Sequence, residues 1–221
     1  MFNGVDDPRD EYAADHVASG ERVVHWRLED LDPAVMARHS LIALAGGSLV
    51  AGLLAGWTSG PVQLTWTFAG ILVVVAVVGS LLALVLHEGL HGLVMALFGA
   101  SPRFGAGLMK TPEVDGRKGG KVPYLFATAP GHRFTPRQMN WVAMVPTFVI
   151  SAALLGLIMA LPGPWGLGLA LPAGLHLSGC VGDWHIFGLL RRQPPGTTVE
   201  DTRDGMILHL PGSDESGMTP A

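Results

Sequence analysis

Four long apolar stretches separated by polar segments dominate the chain. They run from Ser40 to Trp57, Thr65 to Gly99, Asn140 to Leu161 and Trp165 to Leu190. As helices, each can cross the roughly 30 Å of a bilayer's hydrocarbon. The pattern predicts an all-α polytopic membrane protein with about four transmembrane helices, at about 40–57, 65–99, 140–161 and 165–190. The second stretch is long for one span, since 35 residues at ~1.5 Å each exceed about 50 Å. It either projects beyond the membrane or breaks near Gly79 and Ser80.

The polar segments set the expected topology. Every lysine and arginine lies before the first stretch, between the second and third, or after the fourth; the connections at 58–64 and 162–164 carry none. With four spans, the positive-inside rule puts all basic segments, and so both termini, in the cytoplasm. Residues 1–39 then form an acidic cytoplasmic arm, 40–190 the membrane core and 191–221 a cytoplasmic tail ending in a disordered Gly/Ser/Asp stretch. The arm has no apolar run of the signal-peptide kind, so the first span is expected to direct insertion. Asp32–Pro33 reads as a helix N-cap followed by proline at the first helical position. Within 100–139, two strand-like runs, Arg103 to Met109 and Val122 to Ala127, flank a polar Thr111–Gly120 turn. They predict a β-hairpin on the cytoplasmic face between the second and third spans.

Composition agrees with a membrane protein. Only 14% of the 221 residues are charged, against roughly a quarter in soluble domains. The net charge of −4 offers no footprint for a nucleic acid. The single cysteine, Cys180, excludes an intrachain disulfide framework.

Against this background the ionisable residues stand out. Glu88 and Asp183 are the only acidic residues in the four stretches. A charge within the bilayer costs on the order of 3 kcal/mol and points to function. His87-Glu88-Gly89-Leu90-His91 is an H-E-x-x-H sequence. Its two histidines, four apart, share one helical face and can reach one metal ion, with Glu88 beside them to take a proton from water. Zn2+ is the natural ion for two imidazoles and a carboxylate, and Asp183 would complete the ligand set. His176 shares a helical face with Asp183 and stays open as an alternative ligand, a substrate contact or an interhelical hydrogen-bonder. Cys180 reads as a small buried apolar residue, His185 as interfacial and His132 as solvated. Pro146 and Pro172 are candidates to kink their helices.

The run from His87 to Gly99 resembles the motif helix of site-2-protease-type intramembrane metallopeptidases. With Gly182–Asp183 and the Pro194-to-Asp201 stretch, it is similar to their compact bacterial and archaeal branch, the zincin peptidases. The resemblance covers roughly residues 65 to 210. It implies zinc bound by His87, His91 and Asp183, with Glu88 as catalytic base. It also implies a membrane-embedded or membrane-adjacent protein or peptide substrate, and a prokaryotic plasma membrane. The larger family sets its aspartate in an Asp-Gly context after Asn and Pro, whereas this chain has Gly182-Asp183-Trp184. Either Asp183 or His176 can therefore be the third ligand. The hairpin is either a strand edge that holds substrate extended or an amphipathic loop resting on the membrane. The rival function is a zinc-binding membrane protein without catalysis: a sensor, a transport component or a pseudoprotease scaffold.

Overall fold

The computed structural model describes residues 22–27, 31–110, 121–203 and 205–211. Expectations for the acidic arm before Arg22, the 111–120 turn and the last ten residues fall outside these ranges.

Strand β1 (Arg22–Arg27) precedes helix α1 (Pro33–Ser59). The Asp32 side chain accepts the backbone N–H groups of Ala34 at 2.8 Å and Val35 at 3.3 Å. Pro33 takes the first helical position, where its missing N–H costs nothing. Helix α2 (Trp66–Leu97), capped by Thr65, runs for 32 residues without interruption. Gly79–Ser80 is therefore not a break, and the Ser80 hydroxyl donates to the Ala76 carbonyl at 2.7 Å. At ~1.5 Å per residue the helix is about 48 Å long, more than the hydrocarbon requires. The chain leaves it through Gly99, whose φ of +86° suits glycine.

Strands β2 (Arg103–Lys110) and β3 (Lys121–Thr128) pair antiparallel, with Phe104 opposite Ala127. The short β4 (Arg133–Phe134) leads into α3 (Pro136–Ala160), opened by a reciprocal Thr135–Gln138 capping box. Three short helices follow, α4 (Pro164–Gly168), α5 (Ala170–Gly179) and α6 (Val181–Leu190), and then β5 (Thr198–Thr202) and β6 (Gly205–Leu210).

This architecture corrects the all-α, four-span expectation in two respects. The fourth apolar stretch is not one helix but three short ones. Pro172 lacks the N–H that would bond to the carbonyl of Gly168, and its ring crowds that carbonyl, so the helical run gives way at Leu169. Among the described residues, three helices are long and apolar enough to cross a membrane: α1, α2 and α3. The short helices pack closely on them. A Cβ at Gly174 of α5 would collide with the Leu44 carbonyl and Ser48 of α1, and one at Gly168 with Val75 of α2. Such backbone approach is how membrane helices gain packing without a hydrophobic driving force.

Second, the chain carries two antiparallel sheets. Besides β2–β3, a four-stranded sheet in the order β1-β6-β5-β4 joins the polar arm to the polar tail. Arg22 pairs with Leu210, Thr198 with His209, and Phe134 with Val199. Strands this short, assembled from opposite ends of the chain, leave little local pattern to read.

Two cores follow. Ala51, Ala55, Ala83, Ile150, Leu154, Ile158, Leu169 and Ala173 fill the space between the helices. The other joins Phe134, Val199, Met206 and Leu208 of the sheet to Val94 and Met95 of α2, Met139 and Val142 of α3 and Leu190 of α6. The sheet thus caps the helix ends nearest the H-E-x-x-H sequence.

Acidic groups of β5 hold the segment after β3. The Asp201 carboxylate accepts the Ala129 N–H at 3.3 Å, its carbonyl accepts the Thr128 hydroxyl at 3.3 Å, and Glu200 accepts the Gly131 N–H at 2.7 Å. Burial pushes Asp201 up from 3.8 to about 7; bonds from Thr128 and Ala129 oppose the rise, and the nearby Glu88 and Glu200 carboxylates add to it. The folded state then holds a proton that the unfolded chain releases above about pH 4, so stability falls as pH rises from there through 7. Asp201→Asn keeps an acceptor for Ala129 and removes this loss. Relative to wild type, its stability in detergent should rise by on the order of 3 kcal/mol between pH 4.5 and pH 8. A constant difference between the two across pH would contradict the assignment.

Candidate metal centre

Helix α2 carries His87, Glu88 and His91 within its last three turns, and the four-residue spacing puts both imidazoles on one face. Their Nε2 atoms stand 3.0 Å apart. Asp183, in the first turn of α6, brings Oδ2 to 3.2 Å from His87 Nε2 and Oδ1 to 3.6 Å from His91 Nε2. Three donors separated by nearly a hundred residues thus converge on one point.

The third helix supplies the orientation. His91 Nδ1 lies 2.8 Å from the carbonyl of Val142. A carbonyl can only accept, so Nδ1 carries the proton and Nε2 of the neutral ring is left with its lone pair facing the centre. That carbonyl is available because of Pro146. Residue 146 would ordinarily donate its N–H to Val142, four residues back, and proline has none. Pro146, expected to kink the helix, therefore also frees an acceptor for a site histidine.

These residues fit a cation. Asp183 Oδ2 is buried, with His87 Nε2 3.2 Å away, so its charge needs a positive partner there, an imidazolium or a metal ion. Two imidazole nitrogens and a carboxylate oxygen, all aimed at one space, form a zinc-type donor set. Zinc ligands at about 2.0–2.2 Å in a tetrahedron lie roughly 3.3–3.6 Å apart, close to the separations found here.

Glu88 borders the centre, with a carboxylate oxygen within 4.8 Å of the ligand nitrogens of His87 and His91. Its Oε2 accepts the N–H of Ala127, in β3, at 3.0 Å. The glutamate is thereby tied to the hairpin, and Ala127 is tied through Thr128 and Ala129 to Asp201.

His176 and Cys180 also lie here, on the other side of His87. Cys180 Sγ is 3.6 Å from His176 Nε2 and 4.0 Å from His87 Nδ1. Among the described residues, His87, His176 and Cys180 form one cluster able to hold a metal, and His87, Glu88 and His91 another. His176 is thus near the centre but on its far side, while Asp183 faces both Nε2 atoms. Cys180, expected as a small buried apolar residue, is fully buried and stands at the same one-turn interval from His176 as His91 from His87. His185 donates to its own helix at Val181 and stacks near His39, and His132 lies against Phe134, so neither reaches the centre.

Comparison with known proteins adds the family. Searches of curated proteins and of solved structures return no match. The profile of the family described as "Putative zincin peptidase" matches residues 80–198, which is 119 of the 221 residues. The matched span contains His87, Glu88, His91, His176, Cys180 and Asp183. More than half of the chain is covered, and the chain belongs to this family.

Proposed function

We propose that the protein is a membrane-embedded zinc metalloendopeptidase in which His87, His91 and Asp183 hold the ion and Glu88 moves the protons. The observation that carries this reading is the convergence of both Nε2 atoms and the Asp183 carboxylate, with Oδ2 buried. Zinc held there would polarise a scissile carbonyl and make water nucleophilic near neutral pH.

The chain's own groups account for the rest. Val142 keeps His91 in the tautomer that presents Nε2. The Ala127 N–H holds Glu88 Oε2, leaving Oε1 to take a proton from the attacking water and deliver it to the departing amine. Water adds at the carbonyl carbon, the C–N bond breaks, and the products are a carboxylic acid and an amine.

The bilayer setting is supported by the surface of α2, where Val73, Val74, Val77, Val78, Leu81, Leu82, Val85 and Leu86 are all exposed. So continuous an apolar face belongs in lipid rather than water. Among the described residues β2 covers one edge of β3. The other edge, beside Glu88, is suited to hold an unwound substrate by strand addition, because a helical substrate shields its own carbonyls.

Two experiments test the roles. Zinc-loaded protein in detergent is incubated with labelled single-span membrane peptides. Wild type should cleave, and Glu88→Gln should retain zinc but cleave at least about 100-fold more slowly. Equal cleavage removes Glu88 from its role; full zinc occupancy without cleavage by wild type favours the non-catalytic zinc-binding reading. Pro146→Ala restores an N–H to compete for Val142. Zinc affinity, measured against a chromophoric chelator, should fall about 10- to 100-fold with helical content unchanged. Unaltered affinity would separate Pro146 from the centre.

A further inference from the structure

His87 presents its two ring nitrogens to two different nests. Nε2 faces His91 and Asp183, whereas Nδ1 faces Cys180, with His176 completing the second group. The second nest is drier and softer. Cys180 is fully buried, His176 is 6% exposed and His87 9%, and its distinctive donor is sulfur.

We propose that His176, Cys180 and the Nδ1 edge of His87 form a second metal subsite, selective for soft, thiophilic divalent ions such as cadmium. Two observations support it. The Cys180 Sγ to His176 Nε2 separation of 3.6 Å is the tetrahedral edge for zinc-length bonds of about 2.3 Å to sulfur and 2.0–2.1 Å to nitrogen, and the longer bonds of a larger ion such as cadmium widen that edge toward the 4.0 Å found for Cys180 Sγ and His87 Nδ1. The His87 Nδ1 separation of 4.0 Å needs closure of only a few tenths of an ångström.

Donor chemistry separates the two nests. Two imidazoles and a carboxylate suit zinc at the first, while thiolate and imidazole favour softer ions at the second. Because a neutral imidazole has one lone pair, an ion at His87 Nδ1 either releases the Nδ1 proton to solvent, leaving His87 to bridge both ions as imidazolate, or takes His87 from the first nest; in both cases each occupancy changes the affinity for the other. The proposal shares His87 with the zinc reading, but it stands on residues that reading does not use.

The cysteine is the only one in the chain, so any thiolate-to-metal charge-transfer band reports this position alone. Full-length protein in detergent, loaded with zinc and freed of excess, is titrated with cadmium while ultraviolet absorbance and bound zinc are followed. The expected result is a charge-transfer band saturating at a single cadmium per chain. Cys180→Ser should abolish it, and His176→Ala and His176→Gln should each weaken cadmium binding at least about 10-fold. His91→Ala should lose the zinc yet keep the cadmium band, which separates failure of this proposal from failure of the zinc reading. Absence of a band in folded wild type overturns the subsite. So does unchanged cadmium affinity in both His176 variants, which would mean that a buried thiol alone captures the ion.

Discussion

Ionisable groups set into apolar helices are unfavourable unless they hold a common partner, and this constraint organises the interior of the protein. His87, Glu88 and His91 sit on a helix whose other faces are valine, leucine and alanine, and Asp183 sits in a short helix that is otherwise largely apolar. Each is supported by a group from another element. Val142 takes the proton side of His91, Ala127 binds Glu88, and Asp183 faces both imidazoles. A buried carboxylate facing two imidazole nitrogens at 3.2 and 3.6 Å calls for a positive charge among them, and a metal ion is the partner that all three donors can share.

The backbone irregularities around the centre have specific chemical consequences. Pro146 withholds one N–H from α3, and the freed carbonyl orients a histidine of α2. Pro172 helps to divide the last apolar stretch, so that its short helices can turn and bring His176, Cys180 and Asp183 to the same imidazole. The four-stranded sheet acts from outside. Glu200 and Asp201 hold the segment that follows β3, and the end of β3 holds Glu88. Strands from both ends of the chain thus stabilise the glutamate's position, although they contribute no ligand.

The chemistry was more legible in the sequence than the architecture. Glu88 and Asp183 were conspicuous because charge is rare in apolar stretches, and the spacing of His87 and His91 specifies a shared helical face whatever surrounds it. Hydropathy, in contrast, counts residues and does not register continuity of the backbone, so the stretch from Trp165 to Leu190 read as a fourth span although it is three helices. The pairing of Arg22–Arg27 with Gly205–Leu210 depends on bringing distant segments together, and β5, with Glu200 and Asp201 in its centre, reads locally as a polar tail. Cys180 reads as a small apolar residue and is fully buried; its nearness to His87 and His176 depends on helix packing that the sequence does not display. The distances between His87, His91 and Asp183 could not be had from sequence, because they depend on how α2, α3 and α6 pack.

The central claim is that the resident ion binds the nitrogen and oxygen donors of His87, His91 and Asp183. X-ray absorption at the zinc edge, on full-length protein in detergent carrying a single zinc per chain, tests it most directly. The account predicts a shell of nitrogen and oxygen alone at about 2.0–2.1 Å, with imidazole scattering reduced when His91 is replaced by alanine. A sulfur neighbour at about 2.3 Å would contradict it, because that distance would put the resident ion on Cys180 and leave Asp183 outside the ligand set.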